Sequence, residues 1–147
     1  MNQLERLNYM REFTDKVDFP IFNISYRDWN SADFQDFMVV SHEIYDSSDN
    51  AFFERYFVNQ EYVDGSGNTW RIVRKKDVYI KKMVFFTRRV GIIQLERGEA
   101  KMSYDDFVEL FKRRVNQVKV DSVRKIHMDT LKGENSIGAV IKKFSLF

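Results

Sequence analysis

The chain has 147 residues, a net charge of +2 and no cysteine, and 44% of its residues are apolar. This length predicts one domain, residues 1–147, and the apolar content predicts a buried core rather than a disordered chain. The lack of cysteine excludes disulfides, thiolate catalysis and cysteine-based metal sites.

Charge is divided unevenly along the chain. Residues 1–66 contain 5 Lys/Arg and 13 Asp/Glu, a net of −8, whereas residues 67–147 contain 19 Lys/Arg and 9 Asp/Glu, a net of +10. Such an asymmetry predicts an anionic partner, or contact between the acidic surface of one molecule and the basic surface of another. The alternative is that the two halves interleave in space and neutralise each other.

The first element predicted in chain order is an amphipathic helix, followed by a strand. Five apolar residues recur at helical spacing: Leu4, Leu7, Met10, Phe13 and Val17. Pro20 ends this helix, because the residue before a proline is driven out of the helical region. Alternation over Phe22–Tyr26 then predicts a half-buried strand. The first 13 residues do not predict a signal peptide.

The next stretch is ambiguous between helix and strand. Residues 34–45 suit either a short helix or a strand, and we favour a strand from about Phe37. Residues 46–50 are polar and small, which predicts a loop. Residues 52–63 predict a strand, with a helix capped by Asp49 as the alternative for the first half.

The central part of the chain predicts an antiparallel meander. The turn residues Asp64-Gly-Ser-Gly-Asn68 predict a tight hairpin. Strands follow from Trp70, over residues 78–86 and over residues 90–95, with turns expected at residues 74–76 and 88–89 where basic residues cluster. Residues 78–86 are apolar on both faces, so both faces must be covered, by curvature, a second layer or a partner.

The last third of the chain predicts a helix and then a hairpin. Ser103 has the character of an N-cap and opens a helix over residues 103–118. A turn at residues 132–136 with strands over 122–130 and 137–146 completes the chain. The expected fold is therefore α+β: an antiparallel β-meander of about 5–7 strands, strongly curved or barrel-like, with an N-terminal helix and the 103–118 helix packed on it.

No motif predicts catalysis, a metal site or a cofactor. His42 and His127 lack the His-x-Ser/Thr pattern of two-histidine phosphoesterases, since Ile44 and Asp129 occupy the third positions. Gly65-Ser-Gly67 joins strand to strand and lacks the spacing of a nucleotide-binding loop. We therefore expect a non-enzymatic protein without a cofactor or small-molecule substrate.

Basic residues between positions 71 and 89 form the candidate binding site for an anionic partner. Eight Lys/Arg stand there against one Asp, interleaved with apolar residues. Lysine and arginine gain affinity at a phosphate backbone by releasing counterions. The candidate residues are Arg71, Arg74, Lys75, Lys76, Lys81, Arg88 and Arg89. Lys82 falls on an apolar face and would need an acidic partner if it were buried.

The C-terminal residues Phe144, Ser145, Leu146 and Phe147 are a second candidate. They resemble the Gln-Leu-Ser-Leu-Phe peptide by which bacterial DNA-metabolism proteins dock on the sliding clamp, with Lys143 in place of the leading glutamine. The resemblance implies a docking peptide. The alternative is a terminal apolar strand packed in the core.

These observations lead to two functional hypotheses. The first is a non-enzymatic interaction or assembly protein that self-associates or binds a protein partner, such as a small structural component of a phage-like particle. The alternative is a nucleic-acid-binding module that uses the basic 71–89 region. No apolar run is long enough to span a membrane, and the expected location is the cytoplasm or a virion assembled there.

Overall fold

The structure is a computed structural model that describes residues 16–30, 35–47, 49–83 and 86–146, with only the backbone of residues 35–36, 80–83 and 86–88. The described strands are β1 Ile21–Asn23, β2 Val39–Val40, β3 Ile44–Tyr45, β4 Glu61–Val63, β5 Asn68–Met83 and β6 Phe86–Lys101. The described helices are α1 Gln35–Met38, α2 Asn50–Tyr56, α3 Tyr104–Val115, α4 Asp121–Asp129 and α5 Ile137–Phe144.

The six strands form one antiparallel sheet in the order β2-β1-β4-β5-β6-β3, curled into a half-barrel. This confirms the predicted α+β fold with a strongly curved antiparallel sheet. The predicted N-terminal helix falls almost entirely on residues outside the described ranges. None of the described helices is long and apolar enough to cross a membrane.

Capping side chains decide where two of the helices begin. The Ser103 hydroxyl accepts a hydrogen bond from the backbone N–H of Asp106 at 3.1 Å, which confirms the predicted start of α3. Asp49 Oδ1 accepts from the N–H of Phe52 at 3.0 Å and caps α2. The first half of residues 52–63 is therefore a helix, as the alternative prediction had it, and the strand expectation was wrong there.

Residues 35–40 contain both a helix and a strand, the two alternatives that the sequence left open for this segment. Helix α1 ends at Met38 and β2 begins at Val39, so a strand from Phe37 was predicted too early. Strand β2 pairs with β1 at the edge of the sheet. The predicted strand Phe22–Tyr26 is likewise shorter in the structure, where β1 ends at Asn23.

The turns expected at residues 74–76 and 88–89 were wrong, because both segments lie inside long strands. Strands β5 and β6 have 16 residues each and form one hairpin. A register shift between Ile72 and Arg74 explains how basic residues can stand inside β5 without entering the main core. An extra residue at such a bulge reverses which face later side chains occupy, so Ile72 faces the main core whereas Arg74 does not.

The tail is helical, so the predicted hairpin with strands over 122–130 and 137–146 was also wrong. Helices α4 and α5 flank a turn at Gly133, whose φ of +73° suits glycine. The buried residues of α5 are Ile137, Val140, Ile141 and Phe144, and this spacing is that of one helix face. A glycine turn between two apolar segments fits a helix pair as well as a hairpin.

Candidate interaction site

The β5–β6 hairpin, which we call the ribbon, extends beyond the strands that flank it. Strand β4 pairs with residues 69–71 of β5, and β3 pairs with Gly91 and Ile92 of β6. Within the described residues, the outer edge of β5 from Val73 to Met83 pairs with no other strand. An unpaired strand edge presents backbone N–H and C=O groups that another chain can extend.

The ribbon also exposes apolar side chains near this edge. Val73 is 39% exposed and Tyr79 is 51% exposed. Aromatic residues are enriched at the energetically important centres of protein interfaces. Neither residue is among the candidates that the sequence predicts. The signal that could have found them is that apolar residues occupy both faces of β5.

Two predicted site residues at the base of the ribbon are engaged within the chain. Arg71 forms an ion pair with Glu96 and donates to Asn59 Oδ1 at 3.2 Å. The Arg74 guanidinium donates to the amide oxygen of Gln94 on the facing strand. Both arginines remain exposed, so these are surface contacts of modest strength.

Lys75, Asp77 and Arg89 form a local charge cluster. Lys75 Nζ lies 3.0 Å from Asp77 Oδ1, and Arg89 pairs with the other carboxylate oxygen. Hydrogen bonds from Arg89 and then from Lys75 lower the pKa of Asp77. Lys75 also lies over the rings of Tyr45 and Phe53, at 6.0 and 5.9 Å from their centroids. Lys75 is thus turned inward, with its side chain only 11% exposed.

The remaining candidate residues follow the ribbon toward its tip. Lys76 is exposed. Lys81 pairs with Thr87 and Arg88 with Ile80 in the backbone register. The side chains of Lys81, Lys82 and Arg88 lie outside the description, so their roles and the predicted partner of Lys82 stay predictions. Among described side chains, the basic set is divided between an inward and an outward face rather than forming one stripe.

A groove of about 720 Å³ lies between the base of the ribbon and α3. Apolar contacts come from Trp70, Met102 and Leu110. Its charged lining includes Glu61, Arg71, Glu96, Arg97, Glu99, Lys101, Asp106, Glu109 and Arg113. Because acids and bases alternate there, the groove selects neither an anion nor a cation. The described residues include no group of three or more side chains suited to hold a metal ion.

Of the C-terminal candidate residues, Phe144 is buried in the core and Leu146 is exposed to solvent. Phe144 is 2% exposed, and its ring lies 4.9 Å from that of His127. Ser145 caps α5 through its hydroxyl, which donates to Lys142 O at 2.8 Å, whereas Leu146 is 82% exposed. Phe147 lies outside the described residues. Phe144 is therefore a core residue in the fold, and docking through this terminus stays a prediction.

The two histidines occupy opposite environments, and the buried one provides a prediction. His127 is fully buried, and desolvation lowers its pKa below the ordinary value of about 6.5. At this residue the unfolded state then binds more protons than the native state, so the contribution of His127 to the free energy of unfolding is greatest above about pH 6.5 and falls as pH decreases toward the lowered pKa. Urea unfolding between about pH 5 and 7.5 should show this slope, at most about 1.4 kcal/mol for each pH unit.

The matched substitutions are His127→Leu and His42→Gln. His127→Leu should flatten the pH dependence, because leucine does not titrate. His42→Gln should preserve it, because His42 is exposed. An unchanged slope in His127→Leu would assign the pH dependence to other groups.

No protein-family model, curated protein or solved structure matches this chain.

Proposed function

We propose that this chain is an assembly protein that associates with further copies of itself through the ribbon. The observation that carries the proposal is the edge of β5 from Val73 to Met83, which pairs with no strand of the described residues and carries the exposed side chains of Val73 and Tyr79. Addition of a strand or extended segment to such an edge supplies backbone hydrogen bonds, and side chains beside the edge supply specificity.

The distribution of charge along the chain supports a second copy of the protein as the partner that binds the β5 edge. The half of the chain that carries the ribbon has a net charge of +10, and the first half has −8. Five exposed acidic residues of the first half form no ion pair within the described part of the chain: Asp18, Asp28, Asp49, Glu54 and Glu61. Contact between the ribbon of one copy and the acidic half of the next is heterologous, and it builds rings or filaments.

Nucleic-acid binding by residues 71–89 is the rival function. A phosphate backbone at this site would compete with the contacts that four described candidates already make within the chain, three of them at exposed side chains. Arg71, Arg74 and Arg89 contact Glu96, Gln94 and Asp77. Lys75 is nearly buried. The edge geometry therefore favours a protein partner over a phosphate backbone.

Light scattering coupled to size exclusion tests the assembly. In about 0.05 M NaCl the protein should elute as oligomers whose mass rises with concentration, and about 0.5 M NaCl should shift it toward the monomer. The double variant Arg74→Glu/Lys76→Glu should be monomeric at low salt, because it reverses two charges beside the open edge. Circular dichroism confirms that the variant is folded.

The matched control reverses two exposed lysines on the helices, Lys125→Glu/Lys142→Glu, and should assemble like the wild type. A monomeric wild type at every concentration and salt would overturn the proposal. Oligomers that form only when single- or double-stranded DNA is added, with affinity that falls steeply with salt, would establish the rival function instead.

A further inference from the structure

A loop from the first half of the chain is anchored on the C-terminal end of α3. The ring of Trp29 lies 5.6 Å from that of Phe111 in an edge-to-face arrangement. Asn30 donates from its side-chain amide to Gln117 O at 2.7 Å and accepts from the N–H of Lys119 at 3.0 Å. These contacts fix the preceding residues beside the last turn of the helix.

This anchor places Arg27 near the C-terminal end of α3, which carries Arg113 and Arg114. Arg113 and Arg114 lie in the last turn of α3, and Arg27 precedes the anchored Trp29 by two residues. Arg114 is 9% exposed, and its buried Nε has no hydrogen-bond acceptor within the described part of the chain. Burial first, and then the charges of Arg27 and Arg113, lower the pKa of Arg114. The neighbouring Asp28 carboxylate accepts instead from the N–H of Asn30 at 3.2 Å.

The backbone carbonyls at this helix end accept hydrogen bonds from backbone N–H groups rather than from the arginine side chains. Lys112 O accepts from the N–H of Asn116, Arg114 O from that of Gln117, and Val115 O from that of Val118. The helix dipole favours cations at a C-terminus, but this effect is modest. A buried guanidinium nitrogen without an acceptor, on a side chain close to two like charges, is unfavourable. Such an arrangement is stabilised by an anion.

We propose that Arg27, Arg113 and Arg114 form a binding site for a phosphate-type oxyanion. Three guanidinium groups present planar arrays of donors, and a tetrahedral dianion has enough oxygens to accept from more than one of them. A single carboxylate offers two oxygens and one charge, so it compensates less of the cluster. The site lies at the C-terminal end of α3, where Arg113 also lines the groove beside the base of the ribbon, and it does not depend on assembly through the β5 edge.

Titration calorimetry and thermal unfolding with inorganic phosphate test the site, with sodium chloride at matched ionic strength as the reference. Phosphate at ten times its Kd should raise the Tm by about 3–6 °C, and chloride should not. Arg27→Gln should weaken phosphate binding about tenfold, as expected for the loss of one charge-assisted hydrogen bond. Lys112→Gln removes one charge from the same helical turn and should bind like the wild type.

Arg114→Met adds a readout that separates binding from folding. Without phosphate its Tm should equal or exceed that of the wild type, because an uncompensated buried cation is removed, and the phosphate-dependent shift should disappear. Glycerol phosphate should bind in competition with inorganic phosphate. Equal shifts with chloride and phosphate, unaltered phosphate binding by Arg27→Gln, or binding of single-stranded DNA without binding of phosphate would each overturn the proposal.

Discussion

Replacing Asp64 with alanine is expected to lower the free energy of unfolding by about 3–5 kcal/mol. The carboxylate is fully buried and accepts four hydrogen bonds. Oδ1 accepts from the backbone N–H groups of Ser66 and Asn68, each at 2.9 Å. Oδ2 accepts from Trp70 Nε1 at 2.9 Å and from the N–H of Asp18 at 3.3 Å.

The size of this effect follows from where the donors lie. A donor that stays buried after its acceptor is removed costs about 1–3 kcal/mol. The indole of Trp70 is in the core and cannot turn to water, whereas the turn N–H groups of Ser66 and Asn68 lie closer to the surface. In Asp64→Ala the Trp70 indole N–H has no acceptor, whereas water can partly replace the carboxylate at the N–H groups of Ser66 and Asn68.

Urea unfolding followed by tryptophan fluorescence measures the loss. Asp64→Asn should fall between the wild type and Asp64→Ala, because the amide keeps one acceptor oxygen. Asp18→Ala is the matched control: its exposed carboxylate accepts from the Ser66 hydroxyl at 2.8 Å, and its loss should cost less than about 1 kcal/mol. Equal losses for Asp18→Ala and Asp64→Ala would show that burial of the carboxylate has no special effect.

Local signals in the sequence predicted the elements that depend on neighbouring residues alone. Ser103 caps α3 because its hydroxyl needs only the N–H three residues later. The turn at residues 64–68 was predicted from its glycines, and Gly67 adopts a φ of +87° there. The network around Asp64 was not predicted, because Trp70 and Asp18 become its donors only after the hairpin and the preceding segment come together.

The structures of the tail and the ribbon could not be predicted from local sequence patterns, because they depend on tertiary packing and on strand register. Val123 and His127 lie on a helix face that packs on the aromatic core. The sequence of this segment is equally compatible with a strand. The shift between Ile72 and Arg74 changes which face each later residue occupies, so strict alternation assigned the basic residues to turns. The arginine cluster was missed because the packing of Trp29 on Phe111 brings Arg27, which is distant in sequence, to the end of α3 that carries Arg114.

Phe22→Ala should lower the free energy of unfolding by about 3–5 kcal/mol, through a cavity at the centre of the core. Phe22 is fully buried. Its ring lies 5.2–5.9 Å from those of Phe144, Phe107, Trp29 and Phe111, so residues from α3, α5 and the 27–30 loop meet on it. Edge-to-face aromatic contacts add to the area that is buried.

Phe22→Leu should cost less than Phe22→Ala, because leucine refills part of the space. Phe52→Ala removes the same atoms from a half-buried ring on α2 and should cost about half as much as Phe22→Ala or less. The urea m-value should stay unchanged if only stability is altered. If Phe22→Ala and Phe52→Ala proved equally destabilising, the aromatic cluster around Phe22 would not be the centre of the core. In that case the helical layer that holds the three arginines would owe its position to other contacts.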